Sequence, residues 1–257
     1  MVIKMYNIRN RVCIVTGSGR GIGKEIAIKL AQEGGKVVIN VRKHVDEGER
    51  TLKEIQKFSS GILVTADVST EEGRDRLFDR AEKEMGTPEI LINNAGVGIL
   101  EPLGNIQEKN LELMFRTNLF SPLRLSEKFM KDSHGGVIIN MASLAGITPF
   151  PGLAVYGSTK AALIGLTKYM SLEMAPHGIR VNAVAPGVVK TRMGDSLLSL
   201  MNLDDSEFSK KFTLTGKLIT PEEVADSVIF LIKNESITGQ IITIDSGSTQ
   251  MATDYFR

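Results

Sequence analysis

Short runs of β-branched and aliphatic residues alternate, from one end of the chain to the other, with longer stretches whose apolar positions recur every three or four residues. The runs predict strands at 12–16, 36–41, 62–66, 90–93, 137–141, 180–185 and 241–244, and the longer stretches predict helices at 21–33, 46–58, 70–85, 107–131, 154–174 and 221–232. That alternation predicts a doubly wound α/β fold: a mostly parallel, seven-stranded sheet with helices on both faces. No low-complexity linker or repeat divides the chain, so residues 1–257 are expected to form one domain. The segment 191–214 fits least well, because Met193, Leu197, Leu198, Leu200, Met201 and Leu203 precede a charged stretch with Asp204, Asp205 and Lys210. Set between a strand and a helix, it predicts a flexible flap over the strand ends; an amphipathic surface helix is the alternative.

Composition narrows the class. Of 257 residues, 42% are hydrophobic and 24% charged, enough for a full buried core in a globular protein. Lys plus Arg, 31, nearly cancel Asp plus Glu, 30, so no global field favours nucleic acid or an anionic membrane. The single Cys13 sits in the apolar run Val12-Cys13-Ile14-Val15, excludes a disulfide framework within the chain and fits a reducing compartment. Residues 1–11 show no signal-peptide pattern, and later apolar stretches are too interrupted for a membrane span; a cytoplasmic location is expected. His44, His134 and His177 are scattered without ligand spacing, so no metal site is expected.

Between the first strand and first helix lies Thr16-Gly17-Ser18-Gly19-Arg20-Gly21-Ile22-Gly23. Glycines there let the backbone approach a pyrophosphate, and the helix N-terminus supplies N–H donors and partial positive charge, as in a Rossmann-like nucleotide fold. The spacing is Gly17-x-x-x-Gly21-x-Gly23, and Ser18 and Glu25 stand where a phosphate-loop NTPase needs glycine and Ser/Thr. The second strand ends in Asn40-Val41-Arg42-Lys43, without the acid that holds a ribose 2′-hydroxyl in NAD sites. Arg42 and Arg20 instead offer charge-assisted donors to a 2′-phosphate, which predicts NADP(H). Further on, Tyr156 and Lys160 stand four apart on a predicted helix, sharing one face, with Ser143 thirteen residues upstream. A phenol ordinarily titrates near pH 10, and a neighbouring ammonium would bring it within working range of neutrality. Ser143 lies in Met141-Ala142-Ser143-Leu144-Ala145, which is not a hydrolase nucleophile elbow.

These residues, in this order, resemble the short-chain dehydrogenase/reductase family over almost the whole chain. Matching segments also include Asp67-Val68, Asn93-Asn94-Ala95-Gly96, Asn118, Pro186-Gly187 with Thr191, the Thr220-Pro221-Glu222-Glu223 helix start and Thr238-Gly239-Gln240. The resemblance implies a catalytic set of Asn118, Ser143, Tyr156 and Lys160, with Asn118 fixing a water in a proton relay. It further implies cofactor contacts from Gly17, Ser18, Arg20, Gly21, Ile22, Gly23 and Arg42; from Asp67 and Val68 at the adenine; from Asn94, Ala95 and Gly96 at the adenosine ribose; from Tyr156 and Lys160; and from Pro186, Gly187, Val189 and Thr191 at the nicotinamide. In the chemistry expected, hydride comes from the nicotinamide, Tyr156 exchanges the proton as general acid and base, and Ser143 holds the carbonyl oxygen.

Within the family the chain is similar to 3-oxoacyl-carrier-protein reductases. It departs from them at His134 and His177, where many carry arginines that dock an acyl carrier protein, and at Lys217 and Ile219 before the Pro-Glu-Glu helix start. Sugar, polyol or other alcohol dehydrogenases share the framework, and an NADP(H)-binding sensor or scaffold without turnover is a further alternative. Apolar residues in the flap and in 97–103 suggest a partly hydrophobic carbonyl substrate. The resemblance implies a homotetramer built partly by the helices bearing Asn118 and Tyr156; Gly157, Ala161, Ala162 and Gly165 permit close helix approach or internal packing. Residues 246–257 are expected to complete a substrate site or a subunit contact.

Overall fold

A computed structural model describes residues 6–133 and 135–252. His134 and the last five positions of the carboxy-terminal segment therefore lie outside the described residues. Seven strands form one sheet in the order β3-β2-β1-β4-β5-β6-β7, every neighbouring pair parallel. They are β1 Val12–Val15, β2 Lys36–Val41, β3 Gly61–Thr65, β4 Pro88–Asn93, β5 Gly136–Met141, β6 Ile179–Pro186 and β7 Ile241–Ile244. Chain order reverses direction between β1 and β4, and a crevice opens there at the carboxyl ends of the strands.

Period-2 alternation sends successive strand residues to opposite faces. Cys13, Val15, Val37 and Ile39 join a core closed by α1 (Gly21–Gln32), α2 (Val45–Ile55) and α9 (Pro221–Lys233). Ile14 and Val38 join the other core, with Leu77 and Phe78 of α3 (Glu71–Met85), Leu125 and Phe129 of α5 (Ser121–Asp132) and Met170 of α6 (Ala154–Glu173). Because both faces are covered, β1 is buried throughout, which explains why it reads as a continuous apolar run.

One expectation is revised. The helix expected at 107–131 is not continuous: α4 (Glu108–Phe115) passes into a π turn, Arg116–Phe120, before α5. Pro122 explains the break, since it has no N–H for the carbonyl of Asn118 and its ring crowds that carbonyl. Ser121 N–H donates to Arg116 O, five residues back, and the widened turn carries Asn118 into the interior. The segment 191–214 is two short helices, α7 (Arg192–Leu200) and α8 (Asp205–Phe212). Thr191 caps α7 by accepting from Gly194 N–H, and Asp204 with Glu207 forms a capping box on α8. The segment leaves and re-enters the fold at one place, where Val189 and Ile219 form a parallel bridge and Lys190 N–H donates to Ile219 O.

At α9 the Thr220 hydroxyl accepts from Glu223 N–H (3.3 Å) and the Glu223 carboxylate accepts from Thr220 N–H (2.9 Å). Thr220→Ala leaves an end donor without its cap and is expected to lower stability by about 1 kcal/mol, read from the midpoint of urea unfolding.

Candidate active site

Two cavities meet at the carboxyl ends of β1, β4, β5 and β6. One is a groove of about 660 Å³ bordered by the turn after β1, the ends of β2 and β3, and residues 94–97. The other, of about 870 Å³, lies between residues 142–153 and the α7–α8 segment. Tyr156 and the backbone around Pro186 border both.

The groove gathers most of the predicted cofactor residues: Gly17, Arg20, Gly21, Ile22, Gly23, Arg42, Asp67, Val68, Asn94, Ala95, Gly96, Tyr156, Lys160, Pro186 and Thr191 all border it. Gly187 and Val189 border the second cavity instead. Ser18 does not reach either. Its hydroxyl donates to Val15 O (2.7 Å) and accepts from Asn40 N–H (3.1 Å), while its own N–H donates to Asn40 O (3.0 Å). Buried and saturated, Ser18 shapes the turn from beneath and is withdrawn as a cofactor contact.

A dinucleotide fits this groove. Gly17 has φ +64°, and a Cβ on Gly23 would stand 2.4 Å from Asn94 Nδ2 and 2.6 Å from Gly17 O, so neither position admits a side chain. Thr117 Oγ1, at the groove wall, is buried with no hydrogen-bond partner among the described residues. Arg20, Arg42, Lys43, Lys160, Lys190 and Arg192 border the groove against one acid, Asp67, a strong local excess of positive charge in a chain of net charge +1. Arg42 lies 3.7 Å from Asp67, whose other oxygen accepts from Ser69 N–H and Oγ–H.

Several determinants carry no sequence motif. Thr16 Oγ1 accepts from Asn94 N–H (3.0 Å) and Ala95 N–H (2.9 Å), and the Asn94 amide donates to Thr16 O and Gly17 O, stitching the ends of β1 and β4 together. Asn40 accepts from Gly17 N–H and donates to Val64 O and Ala66 O, tying the glycine turn to β3. Glu47, nearly buried on α2, pairs with Arg20 (3.4 Å) and with Arg192 (2.9 Å), the first residue of α7. Only the assembled fold brings these three together.

At the junction, the Ser143 hydroxyl hydrogen-bonds the Tyr156 phenol, and it accepts from Ala145 N–H (3.2 Å). Lys160 is buried, donates to Met141 O (2.7 Å) and lies 5.8 Å from the centre of the Tyr156 ring. This closeness follows from two missing side chains: a Cβ on Gly157 would meet Ala145 O at 2.6 Å, and one on Gly146 would meet the Lys160 carbonyl carbon at 2.7 Å. Gly157 thus serves internal packing, whereas Gly165 faces open space. Asn118 Oδ1 accepts from Val97 N–H (2.8 Å), and its Nδ2 donates to Val97 O (2.8 Å) and Thr159 Oγ1 (3.1 Å), so the side chain is fully committed.

Burial pushes the Tyr156 phenol up, and the Ser143 hydrogen bond offsets this only in part. Burial also lowers Lys160 to about 8. The expected lowering of the phenol by Lys160 is therefore not realised in this structure, where the ammonium is directed at a backbone carbonyl and holds its charge weakly.

Residues 11–202 match the sequence model of the family described as short chain dehydrogenase. The chain belongs to that family. It is 35% identical to an L-2,3-butanediol dehydrogenase of Corynebacterium glutamicum, over 93% of this chain and 98% of the relative, and 35% identical to a diacetyl reductase [(S)-acetoin forming] of Staphylococcus epidermidis, with the same coverage. A 1-cyclohexenylcarbonyl-CoA reductase of Streptomyces collinus is 29% identical over 96% of this chain and 90% of the relative. Among solved structures, a double-mutant short-chain dehydrogenase/reductase of Serratia marcescens superposes with a TM-score of 0.86 at 31% identity, covering 95% of this chain and 99% of that one. As a short-chain dehydrogenase the protein is an oxidoreductase that binds a nicotinamide cofactor, and its Rossmann-like fold is that of the family.

The buried amine gives a pH prediction with a definite sign. Between about pH 8 and its ordinary value of 10.5, Lys160 is protonated in the unfolded chain and neutral in the folded one, so its contribution to stability rises with pH, by up to about 3 kcal/mol. Tyr156 acts oppositely above pH 10, where the unfolded phenol ionises and the folded one does not. From pH 8 to 10, the wild type should gain stability relative to Lys160→Met; parallel urea titrations of the two proteins measure the difference.

Proposed function

We propose that the protein is an NADP(H)-dependent oxidoreductase interconverting a carbonyl and an alcohol, with Tyr156 as general acid and base. One observation carries this reading: Tyr156 borders both cavities, Ser143 borders only the larger one, and Lys160 only the groove. A hydroxyl pair thus faces the substrate side while an amine faces the cofactor side.

A bound nicotinamide supplies or takes the hydride. Ser143 hydrogen-bonds the reacting oxygen, and the Tyr156 hydroxyl gives that oxygen a proton in reduction or takes one in oxidation. Lys160, at the groove wall, would hold the cofactor's ribose hydroxyls through an amine that burial leaves only weakly charged. Asn118 holds the Val97 loop and α6 in register through its amide; the relay water falls to its carbonyl oxygen, to which Pro122 can offer no N–H. NADP(H) is favoured because Arg42, Lys43 and Arg20 border the groove near the end of β2, where Asp67 is the one bordering acid.

The relatives named above act on unlike substrates, so none of their names transfers. A free ketone suits the chain better than a carrier-bound one, since the carrier-docking arginines of similar reductases are absent and Ile219 is buried against Val189. A homotetramer is supported by the exposed Phe120, Tyr169 and Leu172 on the π turn and α6. A single domain in the cytoplasm fits the shared sheet and the buried Cys13 thiol.

With a ketone panel, NADPH oxidation is expected in the wild type and a 10²- to 10⁴-fold loss of kcat, roughly, in Tyr156→Phe, with NADPH binding retained by calorimetry. Turnover unaffected by Tyr156→Phe would refute the assignment. Arg42→Ala should cut the NADPH-to-NADH preference at least tenfold, roughly the worth of a charge-assisted contact. A wild type that prefers NADH would show the arginine argument to be wrong.

A further inference from the structure

The cavity on the Ser143 side is far larger than its hydroxyls require. Its volume of about 870 Å³ lies near the upper end for sites that enclose drug-sized ligands, and at one limit, by Tyr156 and Pro186, it adjoins the groove. Away from that limit Leu144, Phe150 and Leu153 form one wall, and Leu197, Phe208 and Phe212 the other.

Hydrogen bonds fasten the second wall from outside. Leu214 N–H donates to Ser246 O (2.8 Å), and the Ser248 hydroxyl donates to Phe212 O (2.7 Å), so the turn after β7 clasps the end of α8. Leu198, Phe208 and Leu218 pack together behind it. The apolar faces are therefore held apart by a scaffold and do not close on each other. The charged side chains bordering the cavity, Arg20, Arg192 and Lys211, are all basic.

We infer that the substrate is a ketone carrying an extended apolar body of about eight carbons or more and no positive charge, its reacting oxygen at Ser143 and Tyr156 and its body between the 144–153 turn and α7–α8. This rests on the carbonyl-reducing reading above. A four-carbon diketone would touch only the inner end of the cavity and leave both leucine- and phenylalanine-lined walls in water. An added methylene placed against those walls raises kcat/KM about fourfold.

The test is a homologous series, 2-butanone to 2-decanone, with NADPH and NADH in parallel. Every member presents the same reacting group, so the change of kcat/KM with length reports the cavity. A climb of about fourfold per methylene, bringing 2-octanone roughly 250-fold above 2-butanone, is the expected result. Turnover with a flat or falling profile would overturn this inference and leave the carbonyl-reducing reading standing. Oxidation of neither cofactor by any member, with cofactor binding intact by calorimetry, would overturn both. Leu197→Asp puts a charge into the outer wall and should reduce the increment below about twofold per methylene; an increment unchanged from wild type would remove the body from this cavity.

Discussion

The geometry of the candidate site depends on a backbone pressed against a helix. Residues 144–146 lie so close to α6 that side chains at 146 and 157 would collide with main-chain atoms. That approach sets Ser143 against the Tyr156 phenol and brings Met141 O within 2.7 Å of the Lys160 amine. Since the turn continues directly from the end of β5, a central strand buried on both faces, the site inherits the rigidity of the sheet. The glycine turn is anchored in the same manner, by Asn40, Thr16 and Asn94 reaching across from neighbouring strand ends.

The fold was legible in the sequence because parallel strands covered on both faces must be apolar along their length, and the helices between them must show one apolar stripe. Less legible was local chemistry set against the hydrophobic pattern. Pro122 sits inside a strong helical period, yet its missing N–H opens the π turn that delivers Asn118. Asp204 and Glu207 spell a capping box three residues apart, a signal present in the sequence but obscured by the irregular composition around it. At the site, motif spacing located residues that the fold gathers around the two cavities. Glu47 and Arg192 lie far apart in sequence with no shared motif, and their contact exists only because α7 folds back over the glycine turn. Ser18 erred in the opposite sense: membership of the glycine motif suggested contact, while its buried hydrogen bonds withdraw it.

Burial affects the two central groups in opposite directions, raising the phenol and lowering the amine, so each favours its neutral form. The pair is thereby held uncharged more readily than model compounds would be.

Glu47 stands between two guanidinium groups, both of which border the groove. One carboxylate cannot neutralise both, so the entrance keeps a surplus cationic charge even while its arms are tethered. An incoming polyphosphate is drawn by long-range attraction before any bond is exchanged, and capture should slow as added electrolyte shortens the reach of that field.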